Sequence, residues 1–358
     1  MMRAITEVPK LTALDLFSGC GGLSEGLQQA GFRVAAAVEI DSKAQETYSL
    51  NHPKVKLYAE DIRNLDAEVV LKEVGLRRGE LDLLAGCPPC QGFSRLRTKN
   101  KGASVFDPRN DLVSDFLRFI REMLPKSIMM ENVPALANDS RFQKLCIAIA
   151  DLGYTYVVQV LDAADYNVPQ RRKRLILLAS RVHVPAVADK QIDRVTVRQA
   201  FAGIGARSTT TDLLHAMPER RSPKVMDMIK QIPKDGGSRM DLPIEFQLEC
   251  HKKANGFFDV YGRMSWDDVA PTITSGCFNP SKGRFLHPSY NRAITLREAA
   301  ILQGFPSNYQ FVTSHGKESI ALMIGNALPP PFIAAHAFAL HKGIVASMRD
   351  AQHEHSVI

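Results

Sequence analysis

The sequence predicts an α/β protein: a doubly wound, mainly parallel sheet joined to a smaller, loop-rich domain. Three observations predict it. Through the first 181 residues, short apolar β-type runs alternate with amphipathic helical runs, the rhythm of stacked βαβ units. The first strand-like run ends in the tight turn Ser18-Gly19-Cys20-Gly21-Gly22 and leads straight into a helical run. After Arg181 the rhythm stops, and Pro, Gly, Ser and Thr become more frequent.

Taken in order, residues 11–17 read as the first strand, and the glycines of the following turn let the chain reverse into a helix over 23–30. A second strand over 32–39 ends in Glu39. A helix over 42–50, a short strand over 55–58 and a helix over 67–74 come next. Strands over 81–85, 127–130, 154–161 and 175–180 complete the alternation. Residues 182–291 read as a separate domain without a βαβ rhythm. Its segments Pro233-Lys234-Asp235-Gly236-Gly237-Ser238-Arg239 and Asn279-Pro280-Ser281-Lys282-Gly283-Arg284 are expected as exposed basic loops. Helical character returns over 296–302 and 331–348, so residues 292–358 are expected to return to the first domain and pack the last helix on it. The division is therefore 1–181, 182–291 and 292–358.

With 358 residues and 45% hydrophobic side chains the chain has ample material for a large domain plus a smaller one. Six cysteines without regular spacing point to a reducing compartment rather than a disulfide framework. No uninterrupted apolar run reaches 18 residues and residues 1–10 lack a signal-type apolar core, so a soluble, cytoplasmic protein without a membrane partner is expected. The net charge of +7 suits a polyanionic partner, and it equally suits a solvated basic surface.

Cys87-Pro88-Pro89-Cys90, followed by Gln91-Gly92-Phe93-Ser94, sits directly after the strand over 81–85. Two prolines fix their own φ angles and remove two donors, so this loop is stiff and presents a thiol at the carboxyl edge of the sheet. A covalent nucleophile fits that setting. So does half of a zinc site or a redox pair, although Cys20, Cys146, Cys250 and Cys277 supply no second Cys-x-x-Cys.

The glycine turn, Glu39 at the end of strand two and Asp61 just after strand three lie in register along one sheet edge. Glu39 is suited to accept from a ribose diol and Asp61 from an adenine amino group, while helix capping is the plainer role of either acid. Together they outline an adenosine pocket without a pyrophosphate signature, which suits S-adenosylmethionine better than NAD. Glu131, in Met129-Met130-Glu131-Asn132-Val133, ends an apolar strand, where burial would let it hold a proton for donation. In Gln170-Arg171-Arg172-Lys173-Arg174, a strand pattern extended backwards would put Gln170, Arg172 and Arg174 on one face.

These residues carry a resemblance. The chain resembles the bacterial DNA (cytosine-5)-methyltransferases from about Leu14 to Pro330. The matching motifs include Asp15-Leu16-Phe17-Ser18-Gly19-Cys20-Gly21-Gly22, Pro88-Pro89-Cys90-Gln91, Asp107-Pro108-Arg109-Asn110 and Glu131-Asn132-Val133. Further along come Gln170 with Arg172 and Arg174, Leu302-Gln303-Gly304-Phe305-Pro306, and Gly325-Asn326-Ala327-Leu328-Pro329-Pro330. The resemblance implies the S-adenosylmethionine-dependent methyltransferase fold, with 182–291 as the target-recognition domain. It makes Cys90 the nucleophile that adds to cytosine C6, with Cys87 structural. Glu131 then acts at N3, and Arg172 holds O2 of a base flipped out of the duplex. Around the cofactor it implies Phe17, Ser18, Gly19, Gly21, Gly22, Leu23, Glu39, Ile40, Asp61 and Asn326, with Ile40 where some relatives carry an aromatic residue. At the DNA it implies Arg95, Arg97, Lys99, Arg174 and Thr272. The expected setting is a stand-alone monomer of bacterial or phage type at the nucleoid, acting on double-stranded DNA, either beside a cognate restriction endonuclease or as a solitary enzyme. A transfer-RNA methyltransferase on the same scaffold is the nearest alternative, although Cys277-Phe278-Asn279 lacks the Thr such relatives carry. A non-catalytic module and a Cys87–Cys90 redox enzyme are the others.

Overall fold

The computed structural model describes residues 10–89, 112–205, 211–247 and 258–356. Cys90, residues 91–94, Arg95, Arg97, Lys99, Lys101, residues 107–110 and Cys250 lie outside the described residues.

Seven strands form one sheet in the order β3-β2-β1-β4-β5-β7-β6. They are β1 Thr12–Leu16, β2 Arg33–Val38, β3 Lys56–Tyr58, β4 Leu83–Gly86, β5 Ser127–Asn132, β6 Thr155–Asp162 and β7 Lys173–Ser180. Only β7 runs against its neighbours, between β5 and β6. Helices α1 Gly22–Gln29, α2 Ser42–Asn51 and α3 Ala67–Glu73 follow the first three strands. Each strand predicted from sequence is present within two residues at either end, and the mainly parallel, doubly wound sheet is as expected.

Within the sheet domain two helices were not legible as elements: α4 Leu112–Met123 and α5 Ser140–Asp151. Their apolar spacing was available, since Val113, Phe116, Ile120 and Met123 recur at three- and four-residue steps and are all buried. Alternation within the strands sends side chains to both faces. Leu14, Leu16 and Leu84 meet α3, α4 and α5 on one side, while Ala13, Leu83 and Ala85 meet α1 and the C-terminal helix Pro330–Ser356 on the other. The last helix therefore packs on the first domain. It approaches α1 closely at Gly26, where a Cβ would sit 2.6 Å from Ile333 and from the Pro330 carbonyl. The largely helical segment Thr313–His353 is long and apolar enough to cross a bilayer, but 67% of its most apolar stretch is buried, as in the core of a folded domain.

Beyond β7 the chain forms short helices and turns around two smaller cores. One gathers Met228, Ile229, Ile232, Leu242, Tyr261 and Leu286. The other joins Val197, Phe201, Met264 and Ile273 to Leu296, Leu302, Phe305 and Ile324 of the returning segment. The two loops expected to be exposed and basic are so in part: Lys234 and Asp235 of the first and Lys282 of the second are exposed. Arg239 is buried, and Arg284 Nη1 donates to the Gly236, Gly237 and Arg263 carbonyls. A guanidinium has five donors, and the second loop uses Nη1 of Arg284 to hold neighbouring turns rather than to face solvent.

Candidate active site

The carboxyl ends of β1, β2, β4 and β5 converge on one edge, and the start of β7 arrives at the same edge because that strand is antiparallel. After β1 the chain makes a turn in which Phe17, Gly19 and Gly21 all have positive φ, at 65°, 55° and 99°. The Ser18 N–H continues the ladder by donating to the Val38 carbonyl, and the Gly21 N–H donates back to the Ser18 carbonyl. Glu39 closes the turn from the β2 side. Its carboxylate accepts from the Gly19 N–H and from the Asp41 N–H, each at 2.7 Å. Burial raises its carboxyl above the usual range, and the Asp41, Gly19 and Ile40 N–H groups pull the other way.

This edge fits a nucleoside-bearing cofactor. The Ser18 hydroxyl is buried without a protein partner, and the space above the Gly19 Cα is open for 4 Å. Glu39 retains lone pairs for a diol, and Ile40 beside it leaves an apolar side chain 64% exposed. Asn326, exposed at the end of helix Gly316–Asn326, is available to a ligand.

Other expected contacts are engaged with protein. A Cβ on Gly21 would meet the Tyr309 hydroxyl at 2.4 Å and His52 at 2.6 Å, and one on Gly22 would meet the Leu328 carbonyl at 2.5 Å. These two glycines admit protein, so only their backbones are available to a ligand. Leu23 is a core residue beside Leu27, which likewise leaves its backbone alone for contact. Asp61 accepts from the Arg63 backbone N–H and guanidinium, and that pairing holds its carboxyl below the usual range.

At the other end of the edge, Glu131 is 2% exposed at the end of β5. Its Oε1 lies 2.9 Å from Arg174 Nε, and its Oε2 accepts from the Cys87 thiol at 3.3 Å. Burial raises its carboxyl above the usual range, opposed by Arg174, Arg172 and the thiol. Asn132 Nδ2 donates to the Pro88 carbonyl at 2.9 Å, which ties β5 to the stiff segment leading to residue 90. The remaining described cysteines Cys20, Cys146 and Cys277 are buried, and burial pushes their thiols up to about 12, 11 and 12. Such thiols are inert as nucleophiles.

The run before β7 alternates as expected, with a correction to its roles. Gln170 Nε2 donates to the Leu302 carbonyl and to Gln303, while its Oε1 accepts from the Ile273 N–H. Arg172 was expected at O2 of a base. Instead it is buried, with Nη1 donating to the Ile273 carbonyl and Nη2 to the Gly325 and Ala327 carbonyls. Its two terminal nitrogens clamp three carbonyls from two distant segments, as a strut would, while the buried Nε has no protein partner. Arg174, expected at DNA, is the guanidinium that lies against Glu131. Thr272 is exposed, and its hydroxyl donates to the Arg171 carbonyl at 2.6 Å.

The chain that carries this site matches known proteins along nearly its whole length. The profile of the C-5 cytosine-specific DNA methylases matches residues 11–342. The chain belongs to the C-5 cytosine-specific DNA methylases.

It is 34% identical over 330 residues to the Type II methylase M.HgiDII of Herpetosiphon aurantiacus, covering 88% of this chain and 91% of that one. It is 31% identical to the Type II methyltransferase M1.HphI of Haemophilus parahaemolyticus, covering 93% and 87%. Among solved structures, a candidate DNA modification methyltransferase encoded within an E. coli prophage superposes with a TM-score of 0.66 at 26% identity, over 94% of this chain and 99% of that one. The S. pombe Dnmt2 methyltransferase, at 21% identity and a TM-score of 0.61 over 94% and 99%, shares the fold. As a C-5 cytosine-specific DNA methylase the chain is an S-adenosylmethionine-dependent DNA (cytosine-5)-methyltransferase.

Proposed function

We propose that this methylase is the modification enzyme of a Type II system and methylates one cytosine within a short duplex sequence, using Cys90, Glu131 and Arg174 on the base. The observation that carries this reading is the Glu131 carboxyl, buried at the end of β5 and flanked by Arg174 Nε at 2.9 Å. Cytosine C5 is a poor nucleophile. Addition of the Cys90 thiolate to C6 makes C5 enamine-like, and negative charge builds up in the ring towards N3. A carboxyl held above its usual range keeps a proton to share with N3, and Arg174 steadies the carboxylate that remains.

S-adenosylmethionine supplies an electrophilic methyl group when bound. Ser18, Gly19 and Glu39 would hold its polar parts, while Ile40, Asp61 and Asn326 would border the adenosine, and the backbones of Phe17, Gly21, Gly22 and Leu23 would shape the turn. Residues 182–291 are the target-recognition unit within the division 1–181, 182–291 and 292–358. Thr272, Arg95, Arg97 and Lys99 meet the DNA, the cations mainly through phosphates. The enzyme acts as a monomer at the nucleoid, and a restriction endonuclease of the same specificity is its partner.

Bisulfite sequencing of plasmid DNA treated with the pure protein tests the reading, with transfer RNA treated in parallel. The expected result is full protection of one cytosine in one recurring short motif, and none in transfer RNA. Protection scattered without a motif, or protection in transfer RNA alone, would overturn it.

A further inference from the structure

Cys87 was expected to be structural, yet its thiol touches the buried Glu131 carboxylate. Strand register brings the two together. The β4–β5 ladder ends on the pair Gly86 and Met130, so the next step of the same parallel register brings Cys87 beside Glu131. Three ties then fix Cys87. Its N–H donates to the Leu16 carbonyl at 3.3 Å, Pro88 and Pro89 stiffen the chain after it, and Asn132 Nδ2 holds the Pro88 carbonyl at 2.9 Å. Part of the side chain packs on the apolar core beneath the sheet. The sulfur is thus immobilised with its hydrogen directed at Glu131 Oε2, 3.3 Å away.

We propose that Cys87 is a positioning residue for the reaction, its thiol holding Glu131 Oε2 so that the carboxyl keeps one orientation between β4 and β7. The inference rests on the assignment of Glu131 to the base. Two sides of the carboxylate are occupied by different chemistry. Oε1 faces the Arg174 guanidinium of β7, Oε2 faces the Cys87 thiol, and the Arg172 guanidinium also acts on the carboxyl. These are the charged and titratable groups that act on Glu131 among the described residues. Sulfur is a weak donor. It orients the carboxyl without competing strongly when a better partner, a ring nitrogen, arrives. A hydroxyl here would bind more firmly, and a methyl group would leave Oε2 of a buried carboxylate without a donor, which disfavours its charged form.

The test uses the full-length enzyme labelled with 13C at the glutamate carboxyls, the Glu131 resonance being assigned by its loss in Glu131→Gln. Titrations compare the wild type with Cys87→Ala, Cys87→Val and Cys87→Ser. Valine fills the thiol's volume without a donor and guards against collapse or misfolding of the alanine variant. The expected result is an upward shift of the Glu131 titration in Cys87→Ala and Cys87→Val, with Cys87→Ser at or below the wild type. The alkaline decline of the single-turnover methylation rate should move in the same order. An unmoved Glu131 resonance in the donor-less variants, or equal upward shifts in Ser and Ala, would overturn the proposal. A moved resonance with an unmoved rate profile would uphold the Cys87 tie and remove Glu131 from the chemistry, which separates this inference from the reading beneath it.

Discussion

Replacing Arg172 with methionine keeps the apolar stem of the side chain and removes its donors. Two of the bonds lost are well made, at 2.9 Å to the Ile273 carbonyl and 2.9 Å to the Gly325 carbonyl, and the third, to Ala327, is longer at 3.4 Å. Each buried carbonyl left without a donor costs about 1–3 kcal/mol, so the two good bonds set the loss at about 2–6 kcal/mol. Relief of the buried charge offsets part of it, because burial together with the neighbouring Arg174 cation pushes the Arg172 guanidinium down to about 9. The net expectation is a loss of about 2–4 kcal/mol, a large part of the stability of an ordinary protein. Urea unfolding followed by fluorescence measures it, and isothermal titration of S-adenosylmethionine should show weaker binding, because the freed Gly325 carbonyl directly precedes Asn326. The companion variant Arg174→Met should lose methyl-transfer rate instead, since that guanidinium lies on Glu131. Wild-type unfolding of Arg172→Met together with lost turnover would refute the strut and restore Arg172 to the base.

Glu131→Gln should slow single-turnover methylation by about 10²–10⁴-fold, the usual weight of a general acid, with cofactor affinity unchanged; an unchanged rate in folded protein would remove Glu131. Asp15→Asn tests a buried proton: burial lifts the Asp15 carboxyl from 3.8 to about 7, so the native state holds a proton that the unfolded chain has released. Stability from that group is complete below about 4 and is lost as pH rises towards 7. The stability of the wild type relative to Asp15→Asn should therefore fall by about 1.4 kcal/mol per pH unit in that window, measured by urea unfolding at several pH values, and a flat difference would contradict the assignment. Exchanging residues 182–291 for the matching segment of a relative should change the methylated sequence and leave cytosine C5 as the target, read by bisulfite sequencing; an active chimera with the original site would place recognition elsewhere.

The sheet was legible because its strands are short, apolar and separated by amphipathic runs, and the strand-ending acids Glu39 and Glu131 announced the functional edge. Helix α4 carried as clear a signal in the spacing of Val113, Phe116, Ile120 and Met123, which a search for strands passes over. What the sequence could not give were roles set by third dimensions. Arg172 and Arg174 have the same chemistry two positions apart. Only the carbonyls of residues 273, 325 and 327, all more than 100 positions away, make the first a strut. Gly21 and Gly22 looked like room for a ligand and are room for Tyr309, His52 and the Leu328 carbonyl. The Cys87 contact depends on the β4–β5 register, which local pattern does not fix.

The proposed methylation of cytosine runs through a covalent bond between Cys90 and the base. Duplex DNA carrying 5-fluorocytosine at the target, incubated with the enzyme and S-adenosylmethionine, tests it most directly, because fluorine replaces the C5 proton whose removal releases the enzyme. Digestion and mass spectrometry of the trapped complex should find the modified base on the peptide that holds Cys90, with a methyl group at C5, and Cys90→Ala should give no complex. An adduct on Cys87, or none at all with an enzyme that methylates ordinary DNA, would exclude Cys90 as the nucleophile.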